Sequence, residues 1–115
     1  MIAIKITLPT ANTAYNVLER VQAAMTAANL NGQQLSGRCT SITIQYLTGT
    51  GNGYIVPYNG AYPNTLGVPT QYGYDFNNSG SYWDKNATIN NLSLAEIWLG
   101  SDQSNAEFAI LAVTA

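Results

Sequence analysis

Apolar residues recur at every second position in several separate runs of this chain, and a period of two is the signature of β-strands buried on one face. In the first run, Ile2, Ile4, Ile6 and Leu8 fall on one side, with Ala3, Lys5 and Thr7 on the other. Pro9 ends it, because proline has no N–H for a ladder. From Cys39 to Thr48, Ile42, Ile44 and Tyr46 share one face, while Ser41, Thr43 and Gln45 share the other. Gly49-Thr50-Gly51-Asn52-Gly53 reads as a turn, since glycine and asparagine tolerate positive φ. With Tyr54-Ile55-Val56 returning, residues 40–58 are expected to form a hairpin weakened at its far end by Pro57. Tyr72, Tyr74 and Phe76 alternate within a strand from Gln71 to Asn77, followed by a turn at 77–81. Leu94 to Leu99 reads as another strand, Gly100 to Ser104 as a turn, and Phe108 to Val113 as the closing strand. Residues 59–70 read as loop, and 82–93 stay unassigned apart from the anchors Tyr82, Trp83, Ile89 and Leu92.

One segment breaks the pattern. Residues 14–28 are alanine-rich, and Leu18, Val21, Met25 and Ala28 recur at helical spacing with Val17 and Ala24 alongside. Asn12 or Thr13 is the expected cap, and Asn29 and Gly32 the expected stop. The expectation is a mainly β, small antiparallel β-sandwich or barrel of jelly-roll-like type. It carries one short α-helix near the N-terminus, lying across a sheet or its edge. At 115 residues the chain 1–115 is read as a single β-sandwich domain.

Charge is scarce. Four Lys and Arg stand beside six Asp and Glu, and there is no histidine. Charged residues make up 9% of the chain, against roughly a quarter in ordinary soluble domains. Lys5, Arg20, Arg38 and Lys85 are scattered, so neither a nucleic-acid footprint nor a basic membrane-binding face is expected. No run reaches the length of a membrane helix, and the N-terminus has no secretory leader pattern. Without histidine a Ser-His-Asp triad cannot be built. With a single cysteine, Cys39, an ordinary zinc site is excluded. Cys39 reads as a small buried apolar residue. Asp75 and Asp84 with loop carbonyls are the remaining candidates for calcium, and Asp75, Asp84 and Glu96 for a two-carboxylate glycosidase, and solvated loop carboxylates are the simpler reading. The glycine-rich turn lacks the Gly-Lys-Ser/Thr ending of a phosphate loop. No catalytic residue, metal site or cofactor is expected.

The aromatics are the one suggestive constellation. Eight tyrosines and two tryptophans accompany only two phenylalanines, and Tyr54, Tyr58, Tyr62, Tyr72, Tyr74, Tyr82 and Trp83 cluster beside Asn- and Gly-rich loops. Tyr72, Tyr74 and Phe76 read as core or sheet-face residues. Tyr58, Tyr62, Tyr82 and Trp83 form the candidate binding group, because tyrosine offers apolar area and a hydroxyl at low entropic cost. Protein is the first expected partner of that group, and stacking on a sugar ring the second.

The segment from Cys39 onward resembles a group of small bacteriophage virion proteins. The resemblance rests on the run Ser41-Ile42-Thr43-Ile44-Gln45, the turn Gly51-Asn52-Gly53, the strand Tyr54-Ile55-Val56 and Gly67-Val68-Pro69. It extends to the stretch from Leu92 to Ser101, and the opening from Ile6 to Tyr15 is similar too. The resemblance implies a non-enzymatic β-sandwich of the capsid decoration or head–tail accessory type, assembled in the host cytoplasm and resident in the virion. It would bind the major capsid protein, other virion proteins and its own copies as a homo-oligomer. The helical segment 14–28 departs from that group's pattern. On physical grounds, neutral faces suit a crowded lattice, and strand 2–8 is a candidate edge for strand addition. The alternative is a carbohydrate-binding or host-attachment module of a virion that uses the same aromatics.

Overall fold

A computed structural model describes residues 2–28, 38–56, 74–87 and 92–113. Its strands are β1 (Ile2–Leu8), β2 (Tyr15–Asn16), β3 (Arg38–Cys39), β4 (Ser41–Tyr46), β5 (Gly53–Val56), β6 (Tyr74–Phe76), β7 (Tyr82–Asn86), β8 (Leu92–Ser93), β9 (Trp98–Ser101) and β10 (Ala106–Val113). Helix α1 (Val17–Ala27) follows β2, and a 3-10 turn, Leu94–Glu96, precedes β9.

The pairing has a single logic. The chain runs out through β1 to β5 and returns through β6 to β10, and each outgoing strand pairs antiparallel with its returning counterpart. β1 lies on β10, β2 on β9, β3 on β8, β4 on β7 and β5 on β6. This is one long ribbon rolled up. Two further pairings, β10 on β4 and β5 on β9, stitch the roll into sheets. The result is two four-stranded sheets, β1-β10-β4-β7 and β2-β9-β5-β6, with β3-β8 as a short strip. That is a jelly-roll sandwich, as the alternating pattern led one to expect.

Alternation sets the core. Ile4, Ile110, Ile44 and Trp83 occupy one inward row across the first sheet, and Ile6, Phe108 and Tyr46 the next. Phe76 reaches across from the second sheet to Phe108, ring centroids 5.5 Å apart and nearly perpendicular, while Tyr46 lies 5.2 Å from Phe108 on the other side. Edge-to-face geometry of this kind adds to simple area burial.

Several expectations change. The hairpin over 40–58 does not form: β4 belongs to the first sheet and β5 to the second, so the turn between them crosses the sandwich. Gly53 makes the crossing practicable, because a Cβ there would sit 2.7 Å from Phe108 Cζ and 3.0 Å from Tyr46 Cδ1. The crossing is locked by polar contacts. Tyr46 Oη donates to the Thr50 carbonyl at 2.7 Å, Ser101 Oγ donates to the Asn52 carbonyl at 2.8 Å, and Asp102 Oδ1 accepts from the Asn52 N–H at 2.9 Å. Gly51, at φ 70°, supplies the left-handed residue the turn needs. The expected strand 94–99 divides into the 3-10 turn and β9. Ser93 caps the turn by accepting from the Ala95 N–H at 3.2 Å, and the turn seats Leu94 in the core. Gly100 and Ser101 extend β9 and are not part of a turn.

Helix α1 is shorter than 14–28, because Tyr15 and Asn16 pair with Leu99 and Trp98 first. The cap is Asn16, not Asn12 or Thr13. Its Oδ1 accepts from the Glu19 N–H at 3.2 Å, and its Nδ2 donates to the Ala95 carbonyl at 2.8 Å. Asn12 instead takes a left-handed turn conformation. Val17, Val21 and Met25, four apart, form the buried stripe, with Leu18 half-buried and Ala28 exposed. The expected stop at Asn29 and Gly32, the loop 59–70, Pro57 and the start of the strand at 71–73 lie outside the described residues.

Candidate functional site

The alternation that buries one side of the first sheet leaves the described residues of the other side exposed or half-exposed. Lys5, Ala109, Gln45 and Tyr82 form one row across its four strands, and Ala3, Leu111, Thr43 and Asp84 the next. Thr7 with Glu107 and Val113 with Ser41 and Asn86 continue the face at its two ends. Tyr82 is 60% exposed and Leu111 37%, and they are the exposed large hydrophobic residues among those described. They stand on one face with a single strand, β4, and part of β10 between them.

The electrostatics are quiet. Lys5 Nζ lies 3.1 Å from Glu107 Oε2, so these two charges largely cancel. Asp84 and Lys85 follow each other on β7 and point to opposite sides. What remains is the Asp84 carboxylate at the β7 edge and otherwise hydroxyl, amide and methyl: Thr7, Ser41, Thr43, Gln45, Ala3 and Ala109. Gln45 Nε2 donates to the Gly80 carbonyl at 3.0 Å, which ties that side chain to the turn before β7. Such a face can bury area and exchange neutral hydrogen bonds with another surface.

The expected binding group does not come together as read. Tyr58 and Tyr62 lie outside the described residues. Tyr82 and Trp83 are neighbours on β7 and so point to opposite faces. Tyr82 is outward, and Trp83 is half-buried against the core opposite Ile44. Tyr54 is buried, Phe76 is in the core, and the side chains of Tyr72 and Tyr74 lie outside the described residues. Leu111 is hidden in the sequence, because Phe108 to Val113 is apolar throughout and does not show which side faces out.

The two edges of the first sheet differ as well. β1, the expected site of strand addition, has α1 packed against it. β7 is the edge at the other end, and Tyr82, Asp84, Lys85 and Asn86 are exposed along it. Charged side chains on an edge strand oppose indiscriminate pairing.

The remaining candidates are isolated. Asp84 stands on the outer sheet face and Glu96 in the 3-10 turn, both exposed, and the Asp75 side chain lies outside the described residues. Among the described residues no group of three or more His, Cys, Asp or Glu side chains is placed to hold a metal. Cys39 is buried, its Sγ is 3.7 Å from the Leu92 carbonyl, and burial pushes its thiol pKa up. Among the described residues no helix is long and apolar enough to cross a membrane. Set against known proteins, the chain matches no family model, no curated protein and no solved structure.

Proposed function

We propose that this chain is a bacteriophage virion structural protein, a capsid decoration or auxiliary subunit that binds the shell and its own copies through protein–protein contacts. The observation that carries the reading is the solvent-accessible outer face of the first sheet, low in charge, with exposed Tyr82 and Leu111 on it. The jelly-roll topology and the resemblance over Ser41–Gln45, Gly51–Val56 and Leu92–Ser101 support it.

Size argues for assembly in many copies. Four strands spaced about 4.8 Å apart, each about seven residues long at about 3.3 Å per residue, give roughly 440 Å² of flat area. A stable specific interface takes about 800 Å² per partner. One such face therefore binds weakly by itself, and repeated copies on a lattice supply the avidity. Low charge fits the same setting, because like-charged neighbours repel. The reading puts the protein in the virion, beside the major capsid protein or other virion components.

Quantitative mass spectrometry of particles made by the phage or prophage that carries the gene tests this. Many copies per particle support the reading, and absence from purified particles refutes it. Thr43→Lys and Leu111→Glu should leave melting within about 0.5 kcal/mol, as surface changes do, and should abolish incorporation. The rival reading, a carbohydrate-binding or host-attachment module, is favoured by exposed Tyr82 alone. A glycan array with Tyr82→Ala as control decides it, since Trp83 faces the core.

A further inference from the structure

A half-buried guanidinium with no counter-ion among the described residues stands on α1. The Arg20 guanidinium carbon lies 5.5 Å from the Tyr15 ring centroid. Its Nε is buried and has no hydrogen-bond partner. Among the described residues no carboxylate lies within ion-pair distance of it; the ion pair nearby, Lys5 with Glu107, leaves Arg20 out. An aromatic face compensates a cation only in part, and an unmatched buried N–H is a cost that a native structure normally avoids.

Beside Arg20 a groove of about 410 Å³ opens between α1 and β1. Arg20, Lys5 and Thr7 line it together with alanines of the helix, among them Ala23, Ala24 and Ala27. Its volume falls within the usual range of small-ligand sites. The alanines leave room for an apolar stem, and two cations and a hydroxyl are offered to its head. The charge balance selects the ligand. Lys5 is 3.1 Å from the Glu107 carboxylate, so the excess is close to the one positive charge of Arg20. A monoanion matches that excess. A phosphate dianion would overfill it and would be repelled by Glu107.

We propose that the groove between α1 and β1 is a carboxylate-binding site that takes an acidic side chain of a protein partner. The Arg20 fork receives the two carboxylate oxygens, Lys5 and the Thr7 hydroxyl flank them, and the aliphatic stem lies along the alanines. The site does not depend on the virion reading.

Nitrogen-15 NMR of the whole protein tests it, with acetyl-Ala-Glu-Ala-amide as probe. The Glu peptide should shift the Arg20 Nε–H resonance and the amides of Lys5, Thr7, Ala24 and Ala27 saturably, and salt should weaken the effect. Arg20→Gln should weaken binding about tenfold or more, the loss of a charge-assisted hydrogen bond. Ala27→Leu, which keeps Arg20 and suits a helix but fills the groove, should weaken it likewise with unchanged melting. Equal shifts from the Gln peptide, or an Arg20 Nε–H that stays put, overturn the site. Tighter binding of inorganic phosphate overturns the carboxylate assignment. Acetate binding as tightly as the peptide overturns the assignment to a protein side chain.

Discussion

Gly53→Ala is the sharpest test of how the two sheets meet. The added methyl would lie 2.7 Å from Phe108 Cζ, 2.9 Å from Phe108 Cε2 and 3.0 Å from Tyr46 Cδ1. Carbon atoms in contact rest about 3.5–4.0 Å apart, so the neighbours must retreat by most of an ångström. They have nowhere to go. Phe108 and Tyr46 are fully buried, and Phe76 backs Phe108 from the second sheet at 5.5 Å. Overpacking of this kind costs about 1–3 kcal/mol. Gly53 has no left-handed φ, so alanine also recovers about 0.5–1 kcal/mol of chain entropy. The net expectation is a loss of about 1–2 kcal/mol, read as a Tm lowered by about 5–10 °C for a chain of this size. Urea and thermal melts followed by near-ultraviolet circular dichroism measure it. Phe108→Leu in the Gly53→Ala background should cost about 1 kcal/mol less than in the wild type, because the two sites share one space. A Gly53→Ala protein as stable as the parent would refute the close approach of β5 to Phe108.

Gly49→Ala provides the contrast: no atom lies within 4 Å of its added Cβ, so calorimetry should show no loss, or a gain of about 0.4–1 kcal/mol. Asn16→Ala removes the helix cap and the tie to Ala95, and denaturant melts should show a loss of about 1–2 kcal/mol. Ser101→Ala leaves the Asn52 carbonyl and the Gln103 N–H without their shared partner at a buried position, at a cost of about 1–3 kcal/mol. Breaking Lys5–Glu107 with Glu107→Gln should cost under about 1 kcal/mol, because both side chains are well exposed. Burial raises the Cys39 thiol pKa above its ordinary 9.0. The folded state therefore keeps a proton that the unfolded chain releases, so this contribution is intact below about pH 9 and is lost as pH rises through the folded value. Cys39→Ala should lack that loss, and the stability gap between variant and parent should shrink from about pH 8 to pH 10.

The facing of β7 is not legible in the sequence. Tyr82-Trp83-Asp84-Lys85-Asn86 carries no alternation of apolar and polar residues, so it did not announce itself as a strand. Once it is a strand, adjacent Tyr82 and Trp83 must diverge, and a group built on both cannot hold. In the sequence Arg20 is one scattered cation, since its separation from the described carboxylates exists only after α1 packs on β1.

Strands β1, β4 and β10, the α1 stripe through Val17, Val21 and Met25, and the scarcity of charge are all legible in the amino-acid order. Each of these is a local property, a periodicity or a composition, and burial on one face enforces it residue by residue. The tertiary structure alone decided which strands became partners. Gly51-Asn52-Gly53 marks a turn, but only the space between Phe108, Tyr46 and the second sheet sends the chain across the sandwich instead of back along β4. It likewise decided which side of Phe108–Val113 faces out, and hence that Leu111 joins Tyr82. Pairing and facing depend on contacts between residues far apart in the chain, and no local pattern encodes those.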